Sequence, residues 1–320
     1  GQTDDLSNNQ NVFIGYRSGR NNSTGQLNTA IGSNSLRNNT TGNYNTSTGY
    51  YSLNANLTGQ QNSAYGYYSL GANSTGSYNA AFGFGALRLN SSGIFNSATG
   101  YYALFSNTTG NYNAAIGASA LRQNTTGYRN AAVGYASLYY NTTGYRNSGM
   151  GMYALYRTST GYDNAASGYY ALGFNSTGYQ NTAMGVNSLY QNTTGNNNAA
   201  LGFRAGYYGQ TGTQNTYLGA YAGPSSNATY NNSISLGYNS TTSASNQVRI
   251  GNSSVTSIGG QVGWTTISDG RFKENVKADV AGLDFIMKLT PVTYTLKTEE
   301  IFNQLEDKDP LVVSEEEIQA

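Results

Sequence analysis

A pattern of seventeen residues, repeated without interruption, decides the fold of this chain. Residues 113–129 read NAAIGASALRQNTTGYR, and residues 130–146 follow as NAAVGYASLYYNTTGYR. The same spacing extends in both directions, so that thirteen consecutive repeats fill residues 11–231. Because a unit this short cannot form a core of its own, the fixed period predicts coils that stack on their neighbours.

Several positions of the repeat carry nearly constant residues, and we number them 1 to 17 from the starting asparagine. Position 1 is always asparagine and position 5 always glycine, while position 15 is glycine in every repeat except the last, which has Thr229. Position 9 is leucine in the ten repeats from Leu36 to Leu189. A disordered polar tract, the alternative for a chain with 41 glycines and only 10% charged residues, needs neither this period nor this leucine column.

The repeat predicts an all-β fold, a parallel β-roll or β-solenoid of thirteen coils. Seventeen residues suit two short strands and two turns, with glycines at the corners and coils about 4.8 Å apart. We expect the leucines to form one inward ladder and the starting asparagines another, with the large residue at position 4 completing the core. Because such a core is thin, we also expect several chains to pack together as an obligate oligomer.

Charge predicts the domain boundaries. Residues 11–231 contain nine arginines and Asp163 but no lysine or glutamate, whereas all five lysines and twelve of the fifteen acids follow residue 267. We therefore predict a lead segment at 1–10, the solenoid at 11–231, irregular end coils or a neck at 232–267, and a small α+β domain at 268–320. Residues 234–237 and 248–251 resemble shortened repeats and predict the end coils.

Composition excludes several classes of function. Cysteine and histidine are both absent, which excludes disulfides, zinc sites built on those residues and a histidine general base. We expect no cofactor and no metal. Because no long apolar run is present, we also expect no membrane insertion. The arginine excess of the solenoid is spread thinly, so we expect no nucleic-acid partner. No signal peptide is visible at Gly1.

The repeat resembles the head repeats of trimeric autotransporter adhesins, in which units with an Asn-x-Ala-x-Gly core stack as a left-handed parallel β-roll. The resemblance covers about 220 residues of this chain. It implies a homotrimer in which the coils of three chains lie side by side. The unit here is longer, so we expect a different loop between strands.

Residues 268–276, SDGRFKENV, resemble the signature that opens the intramolecular chaperone (peptidase S74) domain of phage tail fibres and tail spikes. In that family the domain follows a trimeric β-rich fibre, drives its trimerisation and can then cut itself off. The resemblance implies that Ser268 attacks the peptide bond before it, that Lys273 is the base, and that Asp269 and Arg271 support them. Residues 268–320 are fewer than the family domain usually has, so we expect a truncated domain.

Residues 279–296 predict the secondary structure that opens this C-terminal domain. Asp279 can cap a short helix in which Leu283, Ile286 and Met287 share one face, and the helix ends before Pro291. An alternating strand follows at residues 292–296.

The thirty tyrosines allow two interpretations. Those at positions 6 and 7 can ladder against one another for stability or for inter-chain packing, or they can bind a cell-surface glycan or another receptor. The sequons at Asn39, Asn107 and Asn124 recur with the repeat, which favours a turn over a glycan attachment site.

Two classes of function remain open. The first is an extracellular trimeric fibre or adhesin stalk, located on a virion tail or a bacterial surface, whose only enzymatic activity is self-cleavage. The second is a tail spike that degrades polysaccharide, which requires paired carboxylates in a groove. The single acid of the solenoid, Asp163, favours the first class.

Overall fold

The computed structural model describes residues 9–227 and 229–261, and it shows one parallel sheet of fifteen short strands. Each strand pairs with the next strand in the chain, and no helix occurs in these two ranges. The prediction of an all-β parallel solenoid is therefore confirmed. The strands are β1 (Val12–Ile14), β2 (Thr29–Ile31), β3 (Thr46–Thr48), β4 (Ser63–Tyr65), β5 (Ala80–Phe82), β6 (Ser97–Thr99), β7 (Ala114–Ile116), β8 (Ala131–Val133), β9 (Ser148–Met150), β10 (Ala165–Ser167), β11 (Thr182–Met184), β12 (Ala199–Leu201), β13 (Thr216–Leu218), β14 (Ile234–Leu236) and β15 (Val248–Ile250).

The register between strands follows the sequence period and then departs from it. Val12 pairs with Thr29, seventeen residues later, and this offset persists up to β13. Thr216 then pairs with Ile234, and Ile234 with Val248, so the last two coils have eighteen and fourteen residues. The stack thus continues through both shortened repeats. The division of the chain at residues 231 and 267 stays a prediction.

Each coil contains one strand, whereas the sequence predicted two. In the coil that begins at Asn113, the φ angles of Ser119, Leu121 and Arg129 are 58°, 50° and 56°. These left-handed residues interrupt the extended backbone that a second strand requires. The segment still bonds to the next coil, since the Leu121 amide donates to the Ser137 carbonyl at 3.0 Å.

The position-5 glycines are required both by conformation and by space. Gly117 has a φ of 129°, which side-chain-bearing residues rarely adopt. A Cβ atom there would lie 2.6 Å from the carbonyl oxygen of Gly134 in the next coil. The constant glycine is therefore the consequence of coils that approach each other through their backbones.

The leucine ladder is buried as predicted, but position 4 lies outside the core. Leu104 and Leu121 are 0% exposed, whereas Ile116 at position 4 is 51% exposed. Successive strand residues face opposite sides, and the small position-3 residue Ala115 is the one that faces inward. Sequence reasoning assigned position 4 to the core because of its size, although the narrow interior opposite the leucine admits only a small side chain.

The ends of the leucine ladder are filled by aromatic rings from the strand side. Phe13 and Tyr217 replace the small residue at position 3, in coils where position 9 is Gly19 or Gly223. A Cβ atom on Gly19 would lie 2.5 Å from the Phe13 ring. Gly206 is position 9 of the coil before Tyr217, and a Cβ atom on it would lie 2.4 Å from the Tyr217 ring. Each ring therefore occupies the space that a position-9 leucine side chain would need.

The starting asparagines form the predicted inward ladder. The Asn113 side-chain amide donates to Gly127 O at 2.8 Å, within its own coil, and to Asn96 Oδ1 at 3.1 Å. Its own Oδ1 accepts from the Asn130 backbone N–H at 3.0 Å. One side chain thus closes its coil and binds both neighbours. The asparagines from Asn28 to Asn215 are all buried in this way.

A second asparagine ladder, at position 12, was not predicted. The Asn124 side-chain amide donates to Asn107 Oδ1 at 2.7 Å and to Gly127 O at 3.0 Å. Gly127 O therefore accepts from one member of each ladder. The Asn-[Ser/Thr]-[Ser/Thr]-Gly segment predicts only a turn at these asparagines, although their near-constant recurrence at position 12 is a visible signal of a ladder.

Candidate functional site

The predicted self-cleavage residues lie outside the described residues. Ser268, Asp269, Arg271 and Lys273 all follow residue 261, as does the predicted α+β domain. Their roles therefore stay predictions. The functional features that can be described belong to the outer surface of the solenoid.

The first feature is the strand face, which we define as the outward side chains at positions 2 and 4 of β1 to β15. None of these side chains carries a charge. Position 2 holds small or β-branched residues such as Ala114 and Ala131, while position 4 is mostly large and apolar. Ile116, Met150 and Leu201 are 51%, 53% and 48% exposed in the single chain.

An exposed strand face of this kind requires a partner or a specific use. Parallel sheets are normally covered on both faces, and soluble proteins place charges on exposed strands to prevent association. Here one face of the sheet covers the core, and the other presents a mostly apolar, uncharged position-4 column that is interrupted only by Thr48, Thr99 and Ser167 among the fifteen described strands. Such a surface is typical of an interaction site.

The tyrosine columns are partly explained by stacking. At position 16 the rings of Tyr128, Tyr145, Tyr162 and Tyr179 lie 5.0, 4.9 and 4.8 Å apart, with interplanar angles of 7° or less. At position 7, Tyr51 and Tyr68 stack at 5.0 Å. The ring faces in these columns contact each other, which favours the laddering interpretation at these places.

The second feature is the groove face, which we define as positions 10, 11 and 13 of the coils. Aromatic rings and guanidinium groups meet there: Arg122 lies 5.7 Å from the Tyr139 ring centroid, and Arg157 lies 4.6 Å from that of Phe174. Two shallow grooves open between these side chains. One contains Phe105, Arg122 and Tyr139, and the other contains Phe174 and Tyr190.

The sequons belong to the position-12 ladder. Asn39, Asn107 and Asn124 are 0% exposed, and each side-chain amide donates to a glycine carbonyl three residues later. An amide nitrogen held in this way is inaccessible in the folded coil. This geometry agrees with the interpretation of the sequons as turns.

Groups that could support hydrolysis or metal binding are scarce in the described part of the chain. Asp163 is the single acid in residues 9–227 and 229–261, and its carboxylate pairs with Arg146 at 2.7 Å. Over the same residues no cluster of potential metal ligands is present, and no helix is long and apolar enough to cross a membrane. The polysaccharide-degrading alternative thus gains no support from the solenoid.

Comparison with known proteins identifies the end of the chain. Residues 268–310 match the family Peptidase_S74, described as the chaperone of endosialidase. No curated protein matches the chain. The matched segment begins at Ser268, where the signature was recognised, and includes all four predicted site residues. The chain therefore joins a parallel β-solenoid to a C-terminal segment of the chaperone-of-endosialidase type.

Proposed function

We propose that this chain is the subunit of a homotrimeric extracellular fibre, of the kind found in phage tails or bacterial surface appendages. The observation that carries the proposal is the uncharged strand face, which runs along the whole described stack. Three copies placed around a common axis would each cover this face with the corresponding faces of their partners.

The side chains of the strand face suit such packing. The small residues at position 2 permit close approach of the chains, and the larger residues at position 4 fill the space between them. Ile116 and Leu201 are about half exposed in the single chain, so covering such a side chain contributes about half the value of full burial, roughly 1 kcal/mol, and the gain recurs in most coils. Association would thus supplement an apolar core that contains one leucine and two small residues, at positions 3 and 8, per coil in most repeats.

The chaperone segment supports the same proposal. Its family resemblance implies a domain that brings three chains together and aligns them before the fibre folds. Parallel strands in three chains need a common start, because a shift by one coil would leave apolar side chains uncovered at both ends. In this proposal the C-terminal segment provides that alignment.

The oligomeric state tests the proposal directly. Sedimentation should give a particle of three times 34.0 kDa, or of three chains that end at Ile267 where the C-terminal piece has been released. The double variant Ile116→Lys/Val133→Lys should weaken or abolish assembly, because it places charges in the strand face. The control Tyr112→Lys changes a residue outside that face whose exposure, 53%, is close to the 51% of Ile116, and this variant should still assemble.

The contrary outcomes are distinct from one another. A stable wild-type monomer would overturn the fibre proposal, and a dimer would overturn only the number of subunits. Equal assembly of the double variant and the control would show that the strand face is not the interface.

Self-cleavage is the second part of the proposal. Ser268 Oγ would attack the carbonyl carbon of Ile267 while Lys273 takes its proton, with Asp269 and Arg271 holding the site. The Ile267–Ser268 C–N bond then breaks as the Ser268 nitrogen receives that proton, and water hydrolyses the resulting ester to release the C-terminal piece. Ser268→Ala and Lys273→Ala should both retain the C-terminal piece while assembly continues. Intact-mass measurement decides the matter, since equal masses for wild type and both variants would mean that the segment remains as a permanent cap.

A further inference from the structure

Three hydroxyl side chains interrupt the position-4 column of the strand face. Thr48, Thr99 and Ser167 occupy this position in β3, β6 and β10, whereas every other described strand carries an aliphatic, methionine or aromatic side chain there. In the sheet register, Thr99 pairs with Phe82 on one side and with Ile116 on the other. Thr48 and Ser167 are flanked by large side chains in the same way. The three hydroxyls thus mark separate heights along the stack, which we call the hydroxyl levels.

The fold of the single chain does not use these hydroxyls. None of the three forms a hydrogen bond among residues 9–227 and 229–261. The adjacent Ser47, which faces the core, donates to Ser52 O at 2.8 Å, and at position 13 the Thr108 hydroxyl donates to Thr125 O at 3.0 Å. Ser47 and Thr108 are therefore satisfied within the chain, whereas the hydroxyl levels are free to bind another molecule.

The spacing of the hydroxyl levels is irregular. β6 is the third strand after β3, and β10 is the fourth strand after β6. Two identical chains side by side have all three hydroxyls at equal heights only when neither is shifted along the axis. A shift by three strands brings Thr48 level with Thr99 but sets Thr99 against Met150, and a shift by four strands sets Thr48 against Ile116. No shifted alignment matches more than one level.

A mismatched alignment buries hydroxyls against apolar side chains, which is costly and is a common source of specificity between chains. Because a hydroxyl both donates and accepts, equivalent hydroxyls from three copies can satisfy one another. We propose that Thr48, Thr99 and Ser167 fix the axial alignment of the fibre by pairing with the same residues of the neighbouring copies. Position 2 is less selective, since serine and threonine are mixed there with alanine, another small residue, in β2 to β13.

The inference rests on the proposed homotrimeric fibre and gives it a second source of alignment. In that fibre the C-terminal segment aligns the chains during assembly. Once self-cleavage releases this segment, the stalk has to hold the alignment by itself. The partner that fits the strand face at every level is then another copy of this chain at the same height.

Mixing of two chains tests the inference. The variant Thr48→Val/Thr99→Val/Ser167→Ala removes the three hydroxyls at little change in size, and it should assemble with itself because its position-4 column is uninterrupted. Co-expressed with wild type under a different N-terminal tag, it should enter mixed trimers at least about tenfold less often than two differently tagged wild-type chains do, since wild-type hydroxyls stay unpaired in them. Native mass spectrometry counts the mixed trimers.

The matched control removes three threonine hydroxyls from the same coils but outside the strand face. Thr58, Thr109 and Thr177 are exposed at position 14. The variant Thr58→Val/Thr109→Val/Thr177→Val should mix with wild type as a second wild-type chain does. Equal exclusion of this control, or free mixing of the hydroxyl-free chain, would overturn the inference.

A second variant tests the height of the hydroxyls rather than their number. Thr48→Tyr/Tyr65→Thr/Met150→Ser/Ser167→Met exchanges two hydroxyls with neighbouring side chains and leaves the composition unchanged. No shift of fewer than three strands then pairs more than one of its hydroxyls with wild type. This chain should form its own trimers and be depleted from mixed ones, and free mixing would show that the height of the hydroxyls does not select the partner.

Sedimentation of the same samples separates this inference from the proposed fibre. Wild-type trimers that mix freely with both variants would overturn the alignment alone. A wild-type chain that sediments as a stable monomer would overturn the fibre and the alignment together.

Discussion

The two asparagine ladders of the solenoid look alike in sequence, but they differ in the hydrogen bonds that their side-chain oxygens accept. The position-1 ladder is continuous from Asn11 to Asn215, whereas the position-12 ladder is interrupted at Thr158 and ends at Gly209. The Oδ1 of a position-1 residue accepts a backbone N–H of the next coil, as Asn113 does from Asn130. At position 12 the Oδ1 accepts only from another side chain.

This difference explains why one ladder tolerates substitution. A missing position-12 amide leaves side-chain groups unpaired, but each coil remains closed because the glycine carbonyl keeps its bond to position 1. Without the position-1 amide, the backbone N–H just before the next β-strand loses its acceptor, and no other acceptor is present there. Buried backbone groups must be paired, so the constraint on position 1 is the stronger one.

The largest expected effect is that of Asn113→Ala. It removes both donations of this side chain and leaves the Asn130 backbone and side-chain N–H groups without their acceptor. We expect a loss of roughly 3–6 kcal/mol in unfolding free energy. Urea denaturation followed by circular dichroism measures it, and a loss below that of Asn124→Ala would contradict the comparison.

The end of the leucine ladder, beside Gly209 where the position-12 ladder also ends, provides a pH test. Tyr217 replaces the missing leucines there, and burial raises the pKa of its phenol to about 12. The unfolded chain then releases this proton near pH 10 while the folded chain retains it, so stability falls as the pH rises from about 10 to about 12. At about 1.4 kcal/mol per pH unit the loss reaches about 2–3 kcal/mol.

The variant Tyr217→Phe isolates this contribution. Its unfolding free energy should fall less than that of wild type between pH 10 and pH 12. All other tyrosines are the same in wild type and Tyr217→Phe, so the difference between their unfolding free energies isolates the contribution of Tyr217. Parallel curves for the two proteins would show that Tyr217 ionises normally in the fold.

A smaller loss is expected for Asn124→Ala, in the same coil as Asn113. The change removes the donor to Asn107 Oδ1, and Asn141 keeps its bond to Gly144 O. We expect a cost of about 1–3 kcal/mol. The same urea experiment compares the two positions, and equal losses would mean that the backbone bond adds nothing to the position-1 ladder.

The smallest expected effect is a gain. Thr158→Asn should restore the position-12 ladder by donating to Asn141 Oδ1, which is now buried and unpaired together with Thr158 Oγ1. We expect an increase of about 1 kcal/mol in unfolding free energy. The control Thr160→Asn changes an exposed position and should leave the urea midpoint unchanged. A destabilised Thr158→Asn would show that the coil there has adapted to threonine.

Much of the fold could be predicted because the period imposes it. A constant asparagine, glycine and leucine at fixed spacing imply stacked coils, and the structure places these columns inside as expected. The replacement of leucine by glycine at the two ends of the position-9 column was also visible in the sequence. In the first and last repeats, where position 9 is glycine, position 3 holds a large aromatic residue, Phe13 or Tyr217. The grooves of the groove face had no such signal, because their residues vary from coil to coil.

What the sequence alone determined is the repeat, the stacking direction implied by it and the family of the C-terminal segment. Only the tertiary structure decided which side of the strand faces the core. Alternation places positions 2 and 4 together on one face, but it does not say which face is inside. The left-handed backbone at Leu121 brings the opposite wall close to the strand, so that Ala115 fits inside while Ile116 must face outward.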